Sequence, residues 1–169
     1  DPYVKLAQKE GFRACAAYKL QEIDETLRLL RPGQLVIDLG AVPGAWSQYV
    51  RRRQRELDRA ADSPAGDKAA MSRVIALDML EFEAVEGVEF IAGDFRDDAV
   101  LQQLEQALGG RQVDLVLSDM APNLSGIASA DAARMADLVE LAVDFAMRHL
   151  RPDGSLVAKV FHGSGYSQL

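Results

Sequence analysis

Acidic residues follow several apolar runs of this sequence, at points where side chains can reach a bound ligand. Asp78 follows one run, and an acidic residue in that place can bind both hydroxyls of a ribose. Asp94 follows another run and precedes Phe95, so the carboxylate can accept from the amino group of an adenine while the ring packs on the base. The stretch from Ser118 to Asn123 adds a polar loop after a further run. In this order, the residue types predict a site for a nucleoside.

Each of these residues also has a plainer interpretation. Asp78 is compatible with a surface residue at a strand end, and Asp94 with a turn residue that caps the helix beginning near position 97. The polar loop that starts at Ser118 is compatible with an ordinary turn. Only the combination, repeated at successive strand ends, favours a ligand.

A glycine-containing loop runs from Asp38 to Trp46. Gly40 and Gly44 allow its backbone to approach a ligand closely. The dinucleotide fingerprint Gly-x-Gly-x-x-Gly requires a glycine at position 42, where this chain has Val42. A helix start without that phosphate-binding pattern suits a ligand that carries no phosphate. Taken alone, the loop is equally consistent with any tight turn from a strand into a helix.

An alternation of helices and strands has to position these residues. Apolar runs predict the strands, and apolar residues at helical spacing predict the helices. The predicted strands are 35–37, 74–77, 88–91, 113–117 and 155–161, the predicted helices are 16–30, 44–60, 97–108 and 130–150, and residues 61–72 are a predicted flexible loop. This alternation is typical of an α/β fold with a mostly parallel sheet and helices on both faces. Ligands of such sheets bind beyond the carboxyl ends of the strands, so the polar segments should meet at one edge.

The composition excludes several classes of protein. A length of 169 residues suits one domain, and a hydrophobic fraction of 49% is typical of globular proteins. No apolar run approaches the roughly 20 residues of a membrane helix, and no cluster of Cys and His predicts a metal site. The single cysteine, Cys15, cannot form an internal disulfide, and we expect it to be a half-buried residue in a protein of the reducing cytoplasm.

The net charge of −7 is unfavourable for a general nucleic-acid binder, although local patches decide binding. The basic residues do cluster, at Lys5, Lys9, Arg13 and Lys19 and in the segment Arg51-Arg52-Arg53-Gln54-Arg55. We predict that the first group forms an RNA-docking face within an N-terminal helical region, residues 1–30. The second group is more simply the solvated end of a helix.

Five stretches resemble the FtsJ/RrmJ family of ribosomal RNA 2′-O-ribose methyltransferases. They are Tyr18-Lys19-Leu20, Asp38 to Val50, Gly93 to Asp97, Ser118 to Gly126 and Lys159-Val160-Phe161. The resemblance runs from about the first residue to the last and implies one Rossmann-like class I methyltransferase domain, with a cofactor-binding core from residue 34 onward. It implies S-adenosylmethionine as cofactor. It also implies, as substrate, the 2′-hydroxyl of a uridine in large-subunit ribosomal RNA within the ribosomal particle.

The resemblance assigns roles to individual residues. It implies cofactor contacts at Gly44, Trp46, Asp78, Asp94 and Asp119, to which the strand-end argument adds Gly40 and Phe95. It implies a catalytic set of Lys19, Asp119 and Lys159, with Lys159 as proton acceptor. A lysine can take the proton of a ribose hydroxyl only if its pKa is lowered, which a neighbouring cation such as Lys19 and partial burial would do. Asp119 would then orient Lys159 and the substrate.

The two lysines differ in how strongly the sequence supports a functional role. Lys19 alone is compatible with a solvated lysine on a helix. Lys159 falls inside the predicted apolar strand 155–161, where a lysine is costly unless it is used.

The chain departs from the family pattern in three ways. Arg13-Ala14-Cys15 stands where Arg-Ser-Arg is usual, which removes one basic residue. The loop has Ala45 where a second glycine is usual, and we expect its Cβ to crowd the cofactor or shift the start of the helix. The fourth catalytic residue of the family, a glutamate, and the closing strands of the sheet are expected beyond residue 169.

Two other functions remain open. One is an S-adenosylmethionine-dependent methyltransferase that acts on a protein or a small molecule, and the other is a catalytically impaired module that binds cofactor or RNA. The pair of lysines favours RNA ribose methylation, because methylation of an amine needs no such pair. We further expect a cytoplasmic monomer that binds neither metal nor membrane.

Overall fold

The computed structural model describes residues 2–61 and 71–160. Two helices come first, and strands then alternate with helices along the chain. The elements are α1 (Pro2–Glu10), α2 (Ala16–Leu27), β1 (Leu35–Leu39), α3 (Ala45–Ala60), β2 (Arg73–Asp78), β3 (Val88–Ala92), α4 (Asp98–Leu108), β4 (Val113–Ser118), α5 (Ala128–His149) and β5 (Leu150–Ala158). Every predicted strand and helix is present. Most of the predicted loop at 61–72 lies outside the described residues.

The five strands form one parallel sheet in the order β3-β2-β1-β4-β5. The chain builds the sheet outward from β1 to β3 and then returns to place β4 on the other side of β1. The strand order therefore reverses between β1 and β4, and a crevice opens beyond their carboxyl ends. The predicted α/β fold with a parallel sheet is confirmed.

Alternation along β1 divides the core into two layers. Leu35, Ile37 and Leu39 face a cluster that includes Phe145 of α5, on the side covered by α4 and α5. Val36 faces the other cluster, on the side covered by α1, α2 and α3. Because successive side chains of a strand point to opposite faces, Asp38 shares the face of Val36.

Helix α2 is attached to α3 by two hydrogen bonds, one buried and one partly buried. The indole N–H of Trp46 donates to the carbonyl of Ala16 at 3.0 Å. The hydroxyl of Tyr49 donates to the carboxylate of Asp24 at 2.6 Å. These bonds fix the helix that carries Lys19 relative to the loop between β1 and α3.

Strand β5 differs from its prediction. The sequence predicts a helix to residue 150 that Pro152 and Gly154 end, followed by a strand over 155–161. In the structure α5 ends at His149, β5 begins at Leu150, and the register against β4 is irregular between Leu150 and Ser155. Pro152 and Gly154 therefore lie in a bulge inside the strand rather than before it. The described strand ends at Ala158, and residue 161 lies outside the described part of the chain.

Candidate functional site

The carboxyl ends of β1 and β4 touch directly. The N–H of Asp119 donates to the carbonyl of Leu39 at 2.9 Å. A Cβ on Gly40, whose φ is +71°, would lie 2.6 Å from the backbone nitrogen of Met120. Only glycine fits that contact, so Gly40 allows the two strand-end loops to close on one another. The backbone that Gly40 approaches in the structure is the loop after β4, and its predicted approach to a ligand stays a prediction.

Asp78 anchors the glycine loop from the end of β2. Its Oδ2 accepts from the N–H of Val42 at 2.9 Å, and its Oδ1 accepts from the N–H of Leu80 at 3.1 Å. Each carboxylate oxygen accepts about two hydrogen bonds, so both retain capacity for ligand hydroxyls. Asp78 therefore shapes the loop and can still bind a ribose.

Asp38 is completely buried beneath this loop. Its Oδ2 accepts from the hydroxyl of Ser47 at 2.7 Å, while its Oδ1 has no hydrogen-bond partner. Burial raises the pKa of Asp38 to about 7, the Ser47 hydrogen bond opposes the rise, and the nearby carboxylates of Asp119 and Asp78 add to it. Asp38 is a site residue that the sequence interpretation placed at the start of the loop without a role. Its signal was a charged residue in the otherwise apolar run Leu35–Leu39.

Two of the three predicted catalytic residues are in contact, and the charge of the third, Lys19, acts on Asp119. Asp119 Oδ1 lies 3.3 Å from Lys159 Nζ, with the side chains 20% and 50% exposed respectively. Burial raises the pKa of Asp119, and the charges of Lys159 and, at longer range, Lys19 oppose the rise. Lys159 follows the end of β5, where its backbone N–H donates to the carbonyl of Ser118 at 2.8 Å. The prediction that Lys159 lies inside an apolar strand is therefore wrong, because the side chain stands half-exposed just beyond the strand.

Trp46 is buried, at 7% exposure, within the cluster that joins α2 and α3 to the sheet. With its N–H bonded to Ala16, the indole positions α2. A small recess lies beside it, lined by Ala16, Asp38, Gly40, Ala41, Val42, Pro43, Ala45, Trp46 and Asp119. Trp46 thus borders the predicted cofactor site mainly as a structural wall.

The side chains of Asp94 and Phe95 point to different surroundings, one at the surface and the other in the core. Asp94 pairs with its neighbour Arg96, whose Nη2 lies 2.8 Å from Asp94 Oδ2, and this hydrogen bond holds the pKa of Asp94 below its ordinary value. The ring of Phe95 is 6% exposed and packs edge-on against Phe145 with centroids 5.7 Å apart. The ring is part of the core, and its packing on an adenine stays a prediction. The helix-capping alternative for Asp94 is wrong, since Asp97 caps α4 by accepting from Ala99.

Comparison with known proteins identifies the family. The family model of FtsJ-like methyltransferases matches residues 12–169. The chain belongs to this family.

Two relatives of this FtsJ-like methyltransferase cover it completely. The ribosomal RNA large subunit methyltransferase E of Methylibium petroleiphilum is 67% identical over 169 residues, and that of Paracidovorax citrulli is 62% identical over 171 residues. The match spans 75% of each relative. A crystal structure described as a ribosomal RNA methyltransferase of Plasmodium falciparum superposes with a TM-score of 0.76 at 24% identity, over 92% of this chain and 82% of that one. This last likeness concerns the fold.

The basic residues of this FtsJ-like methyltransferase are arranged differently from the prediction. Lys5, Lys9 and Lys19 are exposed, but Arg13 is half-buried and its guanidinium is hydrogen-bonded to backbone carbonyls. The arginine segment 51–55 is not simply a solvated helix end. Arg52, for example, lies over the ring of Phe12, with its guanidinium carbon 4.2 Å from the ring centroid.

A larger cleft of about 620 Å³ lies elsewhere, between α2 and α3. Its charged lining residues are Glu10, Asp24, Glu25, Arg28, Arg52, Arg53 and Glu56. Its lining side chains carry charges of both signs, and the predicted catalytic residues Asp119 and Lys159 lie at the strand ends instead. The smaller recess at the carboxyl ends of the strands is therefore the candidate site.

The sequence predicted no membrane helix, no metal site and a half-buried cysteine. Among the described residues, no helix is both long and apolar enough to cross a membrane. The same residues contain no group of three His, Cys, Asp or Glu side chains that could hold a metal ion. Cys15 is exposed, so the expectation that it is half-buried is wrong.

Proposed function

We propose that this chain transfers a methyl group from S-adenosylmethionine to the ribose 2′-hydroxyl of a uridine in large-subunit ribosomal RNA. The observation that carries the proposal is the Lys159–Asp119 pair, 3.3 Å apart, at the edge where the β1 and β4 loops meet. The names of the relatives that cover the chain support the substrate class. A methyltransferase for amines would need no such lysine beside the recess.

The recess suits a cationic ligand that carries no phosphate. The charges of Asp119 and Asp78 help to raise the pKa of Asp38, Asp78 also helps to raise that of Asp119, and one buried oxygen of Asp38 has no partner. S-adenosylmethionine would supply an activated methyl group on a positively charged sulfur. In the proposal Gly40 and Gly44 leave room for it, Asp78 binds the ribose hydroxyls and Asp94 the adenine amino group.

Lys159 accepts the proton of the 2′-hydroxyl in this proposal. The hydroxyl oxygen would take the methyl carbon as the methyl–sulfur bond breaks, S-adenosylhomocysteine would leave, and Lys159 Nζ would take the hydroxyl proton. For this, Lys159 must enter the step neutral. The part of Asp119, whose Oδ1 lies 3.3 Å from Nζ, is to hold the lysine in place and to pair with it once it is charged.

RNA docks, in this proposal, on the N-terminal helical region, residues 1–30, through Lys5, Lys9 and Lys19. These cations are exposed on α1 and α2, and α2 is fixed to the cofactor loop through Trp46. The acidic total charge of −7 makes general RNA binding weak. Recognition would therefore depend on the ribosomal particle, in the cytoplasm, with the enzyme acting as a monomer.

Methyl transfer to isolated large ribosomal subunits tests the proposal. With isotopically labelled S-adenosylmethionine, we expect label in an alkali-resistant dinucleotide of the RNA, because a 2′-O-methyl group blocks alkaline cleavage of the next phosphodiester. Lys159→Ala should lower kcat by about 100-fold or more, the range of a lost general base. Arg59→Ala, which removes an exposed cation at the far end of α3, is the control and should leave kcat unchanged.

The outcomes separate the alternatives. Label in ribosomal protein, or in an alkali-sensitive position of the RNA, would replace ribose with another substrate. Cofactor binding without transfer would favour a non-catalytic module. Equal activity of the Lys159→Ala variant would remove the lysine from catalysis.

A further inference from the structure

We infer that Arg13 is a positioning residue that clasps the glycine loop, which lines the cofactor recess, to the loop after β2, and that it is not a phosphate contact for RNA. The inference rests on the proposed function only in taking S-adenosylmethionine as the ligand of the recess. It is drawn from the contacts of the Arg13 side chain, all of which are made within the chain.

The guanidinium of Arg13 joins two separate loops. Its Nη1 donates to the carbonyl of Pro43 at 3.1 Å and also to the carbonyl of Glu83, while its Nη2 donates to the carbonyl of Ala84 at 2.8 Å. Pro43 belongs to the glycine loop after β1, and the other two carbonyls belong to the loop after β2. The planar fork of an arginine suits this task, because its five N–H donors point in fixed directions.

The side chain also packs against Phe82. Its guanidinium carbon lies 5.8 Å from the centroid of that ring, which itself packs edge-on against Phe90 of β3 at 4.6 Å. A Cβ on Gly44 would come within 3.0 Å of the Phe82 ring and 3.1 Å of Arg13 Nη1. Gly44 therefore leaves room for the clasp as well as for a ligand.

The backbone of Arg13 is fixed too. Its N–H donates to Gln48 Oε1 on α3 at 2.9 Å, and Gln48 Nε2 donates to the carbonyl of Gly11 at 3.4 Å. The residue is thus held at its main chain by α3 and at its tip by two loops. A side chain committed in this way has little freedom to move toward an RNA phosphate.

The clasp places three parts of the site in one arrangement. The loop with Gly44 follows β1, the loop with Phe82 follows Asp78, and α2, which carries Lys19, begins three residues after Arg13. Loops that must be ordered by the ligand itself weaken binding, because ordering costs conformational entropy. With Arg13 in place that ordering is already present before the cofactor arrives.

The test compares two affinities in the same variants. The dissociation constant for S-adenosylhomocysteine is measured by calorimetry, and that for large ribosomal subunits by sedimentation. For Arg13→Ala we expect the first to rise about tenfold, equivalent to ~1.4 kcal/mol, and the second to stay unchanged. Lys9→Ala, a neighbouring exposed cation, should show the reverse, and Arg59→Ala should change neither.

Arg13→Lys tests whether the hydrogen-bonding geometry of the guanidinium or only its positive charge matters. A lysine keeps the positive charge that an RNA phosphate would need, but its single nitrogen can replace only the Nη1 contacts and loses the Nη2 hydrogen bond to Ala84. We expect this variant to keep its RNA affinity and to bind S-adenosylhomocysteine several-fold more weakly than the wild type. Full recovery of that affinity, or a loss of RNA affinity alone in Arg13→Ala, would overturn the inference.

Amide hydrogen exchange keeps the clasp testable apart from the proposed function. If the wild type failed to bind S-adenosylhomocysteine, the proposed function would fall, but the loops could still be examined. Arg13→Ala and Arg13→Lys should both accelerate exchange in residues 79–85, while exchange in β1 and β4 stays slow and reports an intact fold. Unchanged exchange in 79–85 would show that Arg13 does not hold this loop.

Discussion

Asp38 combines complete burial, one unpartnered oxygen and two neighbouring carboxylates. Its folded-state pKa of about 7 lies above the ordinary value of 3.8, so between these pH values the folded protein binds a proton that the unfolded chain releases. Stability from this group is therefore present below about pH 4 and is lost as the pH rises to about 7. Above pH 7 the Asp38 carboxylate is charged in both states, and its burial lowers the free energy of unfolding by a constant amount.

Asp38→Asn should remove this pH dependence. The amide keeps the shape and can still accept from Ser47, but it has no charge to bury. Urea unfolding of both proteins from pH 4.5 to 7.5 should show the wild type losing free energy of unfolding relative to the variant as the pH rises. Parallel pH profiles would mean that Asp38 does not titrate between the two values.

Asp119 and Lys159 should behave as one unit in catalysis. Asp119→Asn preserves the shape but removes the charge that holds Nζ 3.3 Å away, so we expect kcat to fall by roughly 100-fold. The double variant with Lys159→Ala should be no slower than Lys159→Ala alone, because an orienting group has nothing left to orient. Single-turnover methyl transfer measures this, and multiplicative losses would show that the two residues act independently.

The sequence predicted which residues lie close together at the strand ends, but not the orientation of each side chain. Asp78, Asp119 and Lys159 converge because the ends of parallel strands share one edge, and strand positions follow from apolar runs. The side chains of Phe95 and Trp46 pack in the core, because burying an aromatic ring gives more free energy of folding than leaving it exposed at a strand end. Spacing alone does not reveal that choice.

At the scale of elements, the start of α3 decides how the glycine loop enters its helix. The helix begins at Ala45, after Gly44 in the left-handed region, and the methyl group of Ala45 is 2% exposed in the cluster below the loop. The same residue lines the recess. The helix begins one residue after the start of the predicted span 44–60, and both the shift of the helix start and the crowding of the cofactor by Ala45 stay predictions.

Ala45→Gly separates these two effects of the methyl group. Losing a buried methyl and gaining a flexible residue should lower the free energy of unfolding by about 1 kcal/mol in urea. If the methyl crowds the cofactor, S-adenosylhomocysteine should nevertheless bind more tightly to the less stable variant. Weaker binding in calorimetry would show instead that Ala45 supports the loop.

Strand β5 shows why element boundaries were the weakest sequence inference. Pro152 and Gly154 end helices and strands in most contexts, so the pattern placed a break before residue 155. The structure instead accommodates both residues in a bulge of the strand that pairs only with β4 among the described residues. Tertiary pairing thus overrode a local signal and moved Lys159 from inside the strand to its end.

At the scale of the whole molecule, acidic and basic side chains occupy different regions. Asp38 and Asp119 line the recess, Asp78 is hydrogen-bonded to its loop, and exposed lysines lie on the N-terminal helices. The first arrangement suits a cation and the second a polyanion, within a chain whose net charge is −7. The total charge indicates neither partner, and the RNA-docking face predicted from the lysines of the first twenty residues stays a prediction.

Salt dependence tests this separation directly. If Lys5 and Lys9 contact RNA phosphates, the logarithm of the affinity for large ribosomal subunits should fall linearly with the logarithm of salt concentration. Removing each lysine by alanine substitution should reduce that slope by roughly 0.7 to 0.9, because one fewer counterion is released. The affinity for S-adenosylhomocysteine should stay constant in the same variants, since neither lysine lines the recess. An unchanged slope in Lys5→Ala and Lys9→Ala would move the RNA-docking face away from α1, even if methyl transfer itself is intact.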